Sequence, residues 1–513
     1  MPLIIICLNI CRLEHLGDAH ASRIDHNQLE AAKKLLTAYW EKYGSRLNAN
    51  NARMVRQLLT MVHALCTLIV NRMDSKNTNS ESVFKVEEFA FKTGAEAINV
   101  PALVQWAKSV RIGQKVRSFS SSLFSSFVES DDKISTKDFD EKENSLFGHA
   151  SALCQVLSFL EVLGNLPNSK TRVIIENGNA KEEKPTAIHI LLLDPASQFG
   201  EIVREAHAVV LAGGTMQPVG DLIDQLKSSV PNLEFVCRQF PHVIPSDALA
   251  VIPVATGPSG GKLRFTFAAR QDNNSLKEAG KALASLTPLI PHGFVVFFPS
   301  YDLLYSAVEL WKKEAIYERL EKKKTIFVEP RKSRVGSDKF LDEYSQAALS
   351  PQGAMLFAVI GGKLSEGVNL ANDLARGLVV IGMPYPSLAS VELQEKLRYL
   401  SNLKPLSDSV AQNDNETERD RGRRYYTSLC WRAINQTVGR CIRHAGDHAV
   451  CYLFDERYAT KSLKNTLPHW MEPSIVKTGE GIGPAAFGMV VSQTANFFKR
   501  RRLEKLGKTD EQI

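Results

Sequence analysis

The 513-residue sequence contains no Cys-x-x-Cys pair, and its eight cysteines stand at 7, 11, 66, 154, 237, 430, 441 and 451. This scatter excludes a disulfide-stapled miniature fold and a zinc ribbon, and it reads as reduced core thiols in a cytosolic or nuclear protein. Long apolar runs are also missing. None approaches the length of about 18 residues that marks a membrane span, so the sequence reads as soluble, with no membrane partner. The start, MPLIIICLNI, is apolar but has no Lys or Arg ahead of the apolar run. That argues against a secretory signal, although Ala19-His20-Ala21 mimics a cleavage site. Charge of one sign is scarce: 63 Lys+Arg against 56 Asp+Glu leave +7. This allows a local basic groove but establishes no nucleic-acid partner.

What is present is an ordinary globular composition, 44% hydrophobic and 23% charged, which excludes a collagen-like or wholly disordered chain. The length is enough for about three domains. Helical spacing of Leu29, Ala32, Leu35, Leu36, Trp40 and Tyr43, and of Leu58, Leu59, Val62, Leu65, Ile69 and Val70, predicts helices across 27–74, punctuated by Gly44. A further helix is expected over 99–111. Residues 118–143 are rich in Ser and charge and read as a mobile loop.

From about 146 the texture changes. An apolar helix over 146–163 is followed by short continuous apolar runs at 187–193, 208–212, 295–298, 355–360, 377–381 and 449–454, with helical patterns between them. Continuous runs alternating with helices predict a parallel sheet covered on both faces, an α/β fold. Residues 401–425 read as a polar insertion, and those after about 478 as a basic tail ending in Lys499-Arg500-Arg501-Arg502.

Four segments in the α/β region carry glycines, hydroxyls or charges that packing alone does not require. Ligands of parallel sheets gather at the carboxyl ends of strands, so the segments are read together. AGGTMQP follows the 208–212 run; its Gly213 and Gly214 let the backbone approach a ligand or simply turn sharply, and Thr215 adds a hydroxyl. FFPSY ends the 295–298 run with Ser300 and Tyr301, which suit either a phosphate backbone or a plain loop. GGKLSEGVN follows 355–360 with Lys363, Ser365, Glu366 and Gly367 close together. QTVGRCIRH, on a helix, would put Gln436, Gly439, Arg440 and Arg443 on one face. Two forked guanidiniums there suit phosphates, against the bland reading of arginines in solvent. Thr256–Leu263 (TGPSGGKL) mimics a phosphate loop. It is rejected, because Thr256 replaces the first glycine, Leu263 replaces the Ser/Thr, and the following LRFTFAAR reads as a strand.

Taken in order, AGGTMQP, FFPSY, GGKLSEGVN and QTVGRCIRH resemble motifs III to VI of superfamily 2 DNA helicases of the XPD-like, iron–sulfur group, within it the chromosome-loss and cohesion subgroup. LLLDPASQF, HVIP at 242–245, IGMPYP at 381–386 and FDERYA at 454–459 add to the likeness. The resemblance implies two RecA-like motor domains that clamp ATP and Mg²⁺ between them, with single-stranded or forked DNA running across both. It implies 5′–3′ unwinding in DNA repair, replication and sister-chromatid cohesion, cohesion and replication proteins as partners, and a nuclear location. Residue by residue, Gln436, Arg440 and Arg443 would be catalytic, with Arg443 as the finger on the γ-phosphate. Glu366, Gly367 and Gly439 would line the nucleotide cleft, Ser300 and Ser365 would face nucleic acid, and Gly213, Gly214 and Thr215 would couple the domains. The implied division is 1–145 as a helical Arch-like remnant, 146–230 as the C-terminal part of the first motor domain, 231–478 as the second, and 479–513 as tail.

The sequence departs from the family at its phosphate loop ending in Gly-Lys-Ser/Thr, at its four cluster cysteines for a 4Fe–4S cluster, and at its Asp-Glu-Ala-His box, none of which is present as such. Leu16-Gly17-Asp18-Ala19-His20 resembles the box, but Gly17 and Asp18 replace its two acids. Residues 1–20 therefore read as a foreign start joined to the C-terminal half of a helicase, with no ATP hydrolysis by the chain alone. The alternative is a non-catalytic fragment that binds single-stranded DNA or protein.

Overall fold

The computed structural model describes residues 3–7, 23–74, 82–119, 136–178, 185–213, 218–230, 234–238, 244–266, 273–331, 337–362, 370–403, 420–459, 467, 469–476 and 484–505. Its strands are, in chain order, β1 (Leu3–Cys7), β2 (Arg23–Asp25), β3 (Ser82–Lys85), β4 (Thr171–Glu176), β5 (Ala187–Leu192), β6 (Ala208–Ala212), β7 (Leu249–Val254), β8 (Phe294–Phe298), β9 (Thr325–Val328), β10 (Ala354–Val359), β11 (Gly377–Ile381) and β12 (Ala449–Phe454). The chain separates into two compact units, one of residues 10–209 with 388–399, the other mainly of 210–387 and 400–513.

In the first unit, helices His26–Tyr43, Ala49–Asp74, Val100–Ser109 and Thr136–Asn165 accompany a four-stranded sheet of order β2-β5-β4-β3. Asp25 starts the first helix with a capping box: its Oδ1 accepts the Gln28 amide at 2.9 Å, and Gln28 Oε1 accepts the Asp25 amide at 3.0 Å. All pairs in this sheet are antiparallel. The 187–193 run therefore does not belong to the expected parallel sheet, because an apolar run buried on both faces has the same pattern in either orientation. The helix Ala49–Asp74 is long and apolar enough, by length and composition alone, to cross a membrane. Polar residues interspersed along it hid this from a search for continuous runs. Its Val55, Leu58, Val62, Leu65 and Ile69 are buried in the core of this unit.

Two further expectations change here. Residues 136–143, expected in the Ser-rich loop, begin the helix Thr136–Asn165, and 120–135 lie outside the described residues. The 208–212 run is a strand but not a buried one; Val210 is 45% exposed.

The second unit is built on a six-stranded sheet of order β7-β12-β11-β8-β10-β9, all parallel. Successive side chains of a strand point to opposite faces. Phe294, Val296 and Phe298 accordingly join Phe357, Val379, Ile381, Tyr452 and Phe454 in one core layer. Val295 and Phe297 join Leu356, Leu378, Val380, Cys451 and Leu453 in the other. Helices Asn273–Leu286, Tyr301–Lys313 and Pro484–Lys505 contribute to the first layer, and Ser337–Leu349 and Arg421–Val438 to the second. This is the α/β architecture expected from the apolar runs.

The basic tail is corrected. Residues 484–505 form a helix whose Phe487, Val490, Phe497 and Phe498 are buried. The run after Lys262 forms no strand over 263–266 either, and 421–425 of the expected insertion open the helix Arg421–Val438, while 404–419 are outside the described residues.

Candidate functional site

The carboxyl side of the six-stranded sheet brings two of the four segments together. β8 runs into Ser300, which caps the helix Tyr301–Lys313 by accepting the Leu303 amide on its Oγ at 3.3 Å. β10 runs into Ile360, whose amide donates to Phe298 O at 2.9 Å, and then into Gly361 and Gly362. Gly361 has φ +74°, a conformation that favours glycine. Gly362 is needed for another reason: a Cβ there would lie 2.6 Å from Glu329 Oε1 and 3.0 Å from the Tyr301 hydroxyl.

Glu329, just past β9, joins these turns. Its Oε1 accepts the Tyr301 hydroxyl at 2.8 Å and its Oε2 accepts the Val359 amide at 2.7 Å, while its backbone carbonyl accepts the Tyr305 hydroxyl at 3.1 Å. It is 1% exposed. Sequence reasoning missed it; the signal was a lone acid closing the short apolar run TIFV. Next to β8 on the same side, β11 leads into Gly382 and Tyr385. Tyr385 stacks on Tyr426 with centroids 5.0 Å apart, and Gly382 O accepts the Tyr458 hydroxyl at 2.8 Å. Arg457 grips the buried Asp455 with two bonds of 2.7 and 2.8 Å.

QTVGRCIRH is not where the helical reading put it. The helix Arg421–Val438 ends before Gly439, so Gln436, Gly439, Arg440 and Arg443 do not share a helical face. Gln436 is half-buried, Arg440 is buried and Arg443 is exposed. The turn is held from the core, where Cys441 Sγ lies 3.5 Å from Cys451 Sγ, and from below by Asp447. The Asp447 carboxylate accepts the Arg376 guanidinium at 2.9 Å and the amides of Asn372 and Arg443, each at 3.2 Å. His444 Nε2 pairs with Asn372 Oδ1 at 2.7 Å. Asp447 and Arg376 stand just before β12 and β11, so this segment occupies the amino side of the sheet, opposite Ser300 and Gly362. A helix-to-strand connection enters its strand at the amino end, so this segment cannot join a carboxyl-side cluster with the turns after β8 and β10.

Ser365, Glu366 and Gly367 fall in 363–369, outside the described residues, as do Gly214 and Thr215. Gly213 is described and exposed. The helix Gly220–Ser229 that follows lies against Arg421–Val438: Arg424 pairs with Asp224 at 2.6 Å, and Arg432 donates to Pro218 O at 3.4 Å.

The phosphate-loop mimic is a tight turn off β7. Thr256 and Lys262 form an antiparallel bridge, and the Gly257 amide donates to Gly261 O at 2.8 Å. Among the described residues, one group of three or more His, Cys, Asp or Glu has ligand atoms within 4.8 Å of one another: Glu176, His189 and Glu392, in the first unit. No cysteine belongs to it. Cys66, Cys430, Cys441 and Cys451 are buried free thiols, while Cys154 and Cys237 are free and exposed.

Comparison with known proteins bears on this arrangement. The model of the helicase C-terminal domain family matches residues 283–474. The chain is 32% identical over 532 residues to the ATP-dependent DNA helicase DDX11 of Danio rerio, covering 96% of this chain and 57% of that protein. It is 32% identical over 497 residues to the ATP-dependent DNA helicase chl1 of Aspergillus clavatus, covering 95% and 65%. The chain thus spans less than two thirds of the length of these curated relatives. The structure of Xpd4 from S. tokodaii aligns with a TM-score of 0.46 at 16% identity, over 92% of this chain and 75% of that one. The chain thus matches the helicase C-terminal domain over residues 283–474 and is similar, along most of its own length, to the DDX11 and chl1 helicases.

Proposed function

We propose that this chain supplies the second, RecA-like motor domain of an ATP-dependent DNA helicase. The observation that supports it is the ordered set FFPSY, GGKLSEGVN and QTVGRCIRH in the sequence of the matched domain 283–474, with Ser300, Gly362 and Arg443 placed around one parallel sheet. In this reading 231–478 is the motor domain, 146–230 is the end of the preceding one, and residues before 146 belong to an Arch-like region. Arg443, exposed at the amino side of the sheet, reaches the γ-phosphate of ATP held by a facing domain, and Arg440 and Gln436 support that cleft with Gly439, Glu366 and Gly367. An arginine there stabilises charge that develops during phosphoryl transfer. Ser300 and Ser365 meet the backbone of single-stranded or forked DNA, and Gly213, Gly214 and Thr215 couple the domains. Activity 5′–3′ in repair, replication and cohesion, with partners from those processes and a nuclear location, follows from the same reading.

The phosphate loop and the acidic box that the resemblance implies are not present in the sequence as such, and the turn at 256–262 is closed by a bridge between Thr256 and Lys262. The chain by itself is therefore expected not to hydrolyse ATP. When bound, Mg²⁺ and ATP supply the transferable phosphoryl group; what this chain adds is the exposed guanidinium of Arg443 and the fixed turn behind it. The test is DNA-stimulated ATP hydrolysis by the purified chain. Turnover that Arg443→Ala abolishes would overturn the statement that the chain is inactive alone. Expressed with the facing domain, the same substitution should abolish turnover while leaving folding intact.

A further inference from the structure

The turn at 256–262 is not a phosphate loop, but neither is it a plain connection. With the first turns of the helix Asn273–Leu286 it encloses an open pocket of about 390 Å³ on the carboxyl side of the sheet, beyond the end of β7. Four cations line it, Lys262, Arg264, Lys277 and Lys281, with the hydroxyls of Ser259 and Ser275. A single carboxylate, Glu278, is present, and its charge is already committed. Glu278 Oε1 accepts Lys281 Nζ at 2.9 Å and Oε2 accepts the Ser259 amide at 2.9 Å.

The glycines of the turn serve this arrangement. A Cβ on Gly257 or Gly261 would come within 2.5 or 2.7 Å of the Glu278 side chain. The turn is thus pressed onto the helix, and its shape is fixed before any ligand arrives. Ser275 Oγ accepts the Arg264 amide at 3.0 Å and locks the other wall. On the rim, Lys277 pairs with Glu314 at 2.7 Å, and Lys262 and Arg264 share Glu456. These rim pairs are solvent-exposed, and such pairs contribute little. An incoming anion can replace them at small cost, gaining bonds to several ammonium and guanidinium groups at once.

We propose that this pocket holds a backbone phosphate of a single nucleic-acid strand lying along the carboxyl side of the sheet. The proposal rests on the reading above that Ser300, on the same side, meets DNA, and it extends that track from β8 and β10 to the far end at β7. A strand is favoured over a free anion because the pocket is open, its cations are spread around a rim, and strand-binding grooves track the backbone with just such cations.

The test measures binding of a fluorescein-labelled oligothymidylate to the full chain by anisotropy across a salt series. For wild type, log affinity falls linearly with log salt, with a slope of about −0.7 per phosphate neutralised. Lys262→Ala/Lys277→Ala should weaken binding roughly fivefold or more and flatten the slope by about 0.7, since the one phosphate held in the pocket is no longer neutralised. Lys277→Arg should keep wild-type behaviour. Lys322→Ala/Lys323→Ala, exposed lysines ahead of β9 on the amino side, should change neither quantity. A wild-type slope in the first double variant, with DNA binding intact, overturns this proposal and leaves the Ser300 reading standing. An equal loss in the control pair overturns it as well. Inorganic pyrophosphate that binds through Lys262 and Lys277 without displacing the oligonucleotide would assign the pocket to a free anion and overturn it. Absence of any DNA binding by wild type at low salt would bring down both readings.

Discussion

The Tyr301 hydroxyl lies 2.8 Å from Glu329 Oε1, on the far side of a carboxylate whose Oε2 takes the Val359 amide at 2.7 Å. One buried side chain thereby ties the ends of β8, β9 and β10. It also fixes the two turns that carry Ser300 and Gly362. Removing it strands a buried amide and a hydroxyl, each at a cost of about 1–3 kcal/mol. Glu329→Ala should therefore lose about 2–4 kcal/mol of stability in urea unfolding. Tyr301→Phe should lose about 1.5–3 kcal/mol, as for one hydrogen bond to a charged group. Gly362→Ala should resemble Glu329→Ala, because its Cβ displaces Oε1.

Asp447 does the corresponding work on the amino side. It is 1% exposed and holds Arg376, itself 5% exposed, together with the backbone around Arg443. Asp447→Ala leaves a buried guanidinium with Asp373 and the His448 carbonyl as its remaining partners. Breaking a buried pair in this way costs about 3–5 kcal/mol, less here by whatever Asp373 retains. Asp447→Asn keeps one acceptor oxygen and should lose less than half as much. Urea midpoints of the two variants, measured side by side, decide this.

The four central strands of the parallel sheet were legible because each is buried on both faces and so reads as one apolar run. Both edge strands escaped. β7 contains Pro253, tolerated because an edge strand can spare a ladder amide, and β9 is four residues long and half-buried. The glycines of GGK were legible as unusual, but their cause was not, since Glu329 is distant in sequence. Helical spacing brought Gln436, Gly439, Arg440 and Arg443 together only on the assumption that the helix continued. The chain instead turns at Gly439, and tertiary contacts to Asp447 and Cys451 fix where it goes. Composition favoured solvent for the last segment because a run of four cations outweighs apolar residues spaced three and four apart.

Lys324 offers a test by pH. It is 3% exposed, and burial pushes its ammonium down to about 8 from an ordinary 10.5. Its Nζ also donates to the His292 carbonyl. The unfolded chain holds this proton up to a higher pH than the folded one, so stability rises as pH climbs from about 8 to 10.5 and is lost as pH falls through 8. The shift corresponds to roughly 3 kcal/mol. Lys324→Met removes the buried charge. Relative to wild type it should be more stable at pH 7 than at pH 10.5, and a stability difference between the two chains that does not change over that range would refute the assignment.

The helix Pro484–Lys505 gives the sharpest contrast between a tail and a structural element. Phe487, Val490, Phe497 and Phe498 are each no more than 8% exposed, and the Thr494 hydroxyl meets the Tyr452 hydroxyl, on β12, at 2.8 Å. Arg501 adds a surface pair to Asp247 at 3.0 Å, which contributes little. A solvated tail would tolerate any of these changes within about 0.5 kcal/mol. A packed helix should not: Phe497→Ala is expected to cost about 3–5 kcal/mol, as for other buried phenylalanines. Val490→Asp should be worse, since it puts an unpaired carboxylate against the sheet. Arg502→Ala, on the exposed side, serves as the control and should leave the midpoint unmoved. Equal midpoints for all three variants would return this segment to solvent, whereas a large loss confined to Phe497 and Val490 makes it part of the core of the second unit, which any expression of this unit must retain.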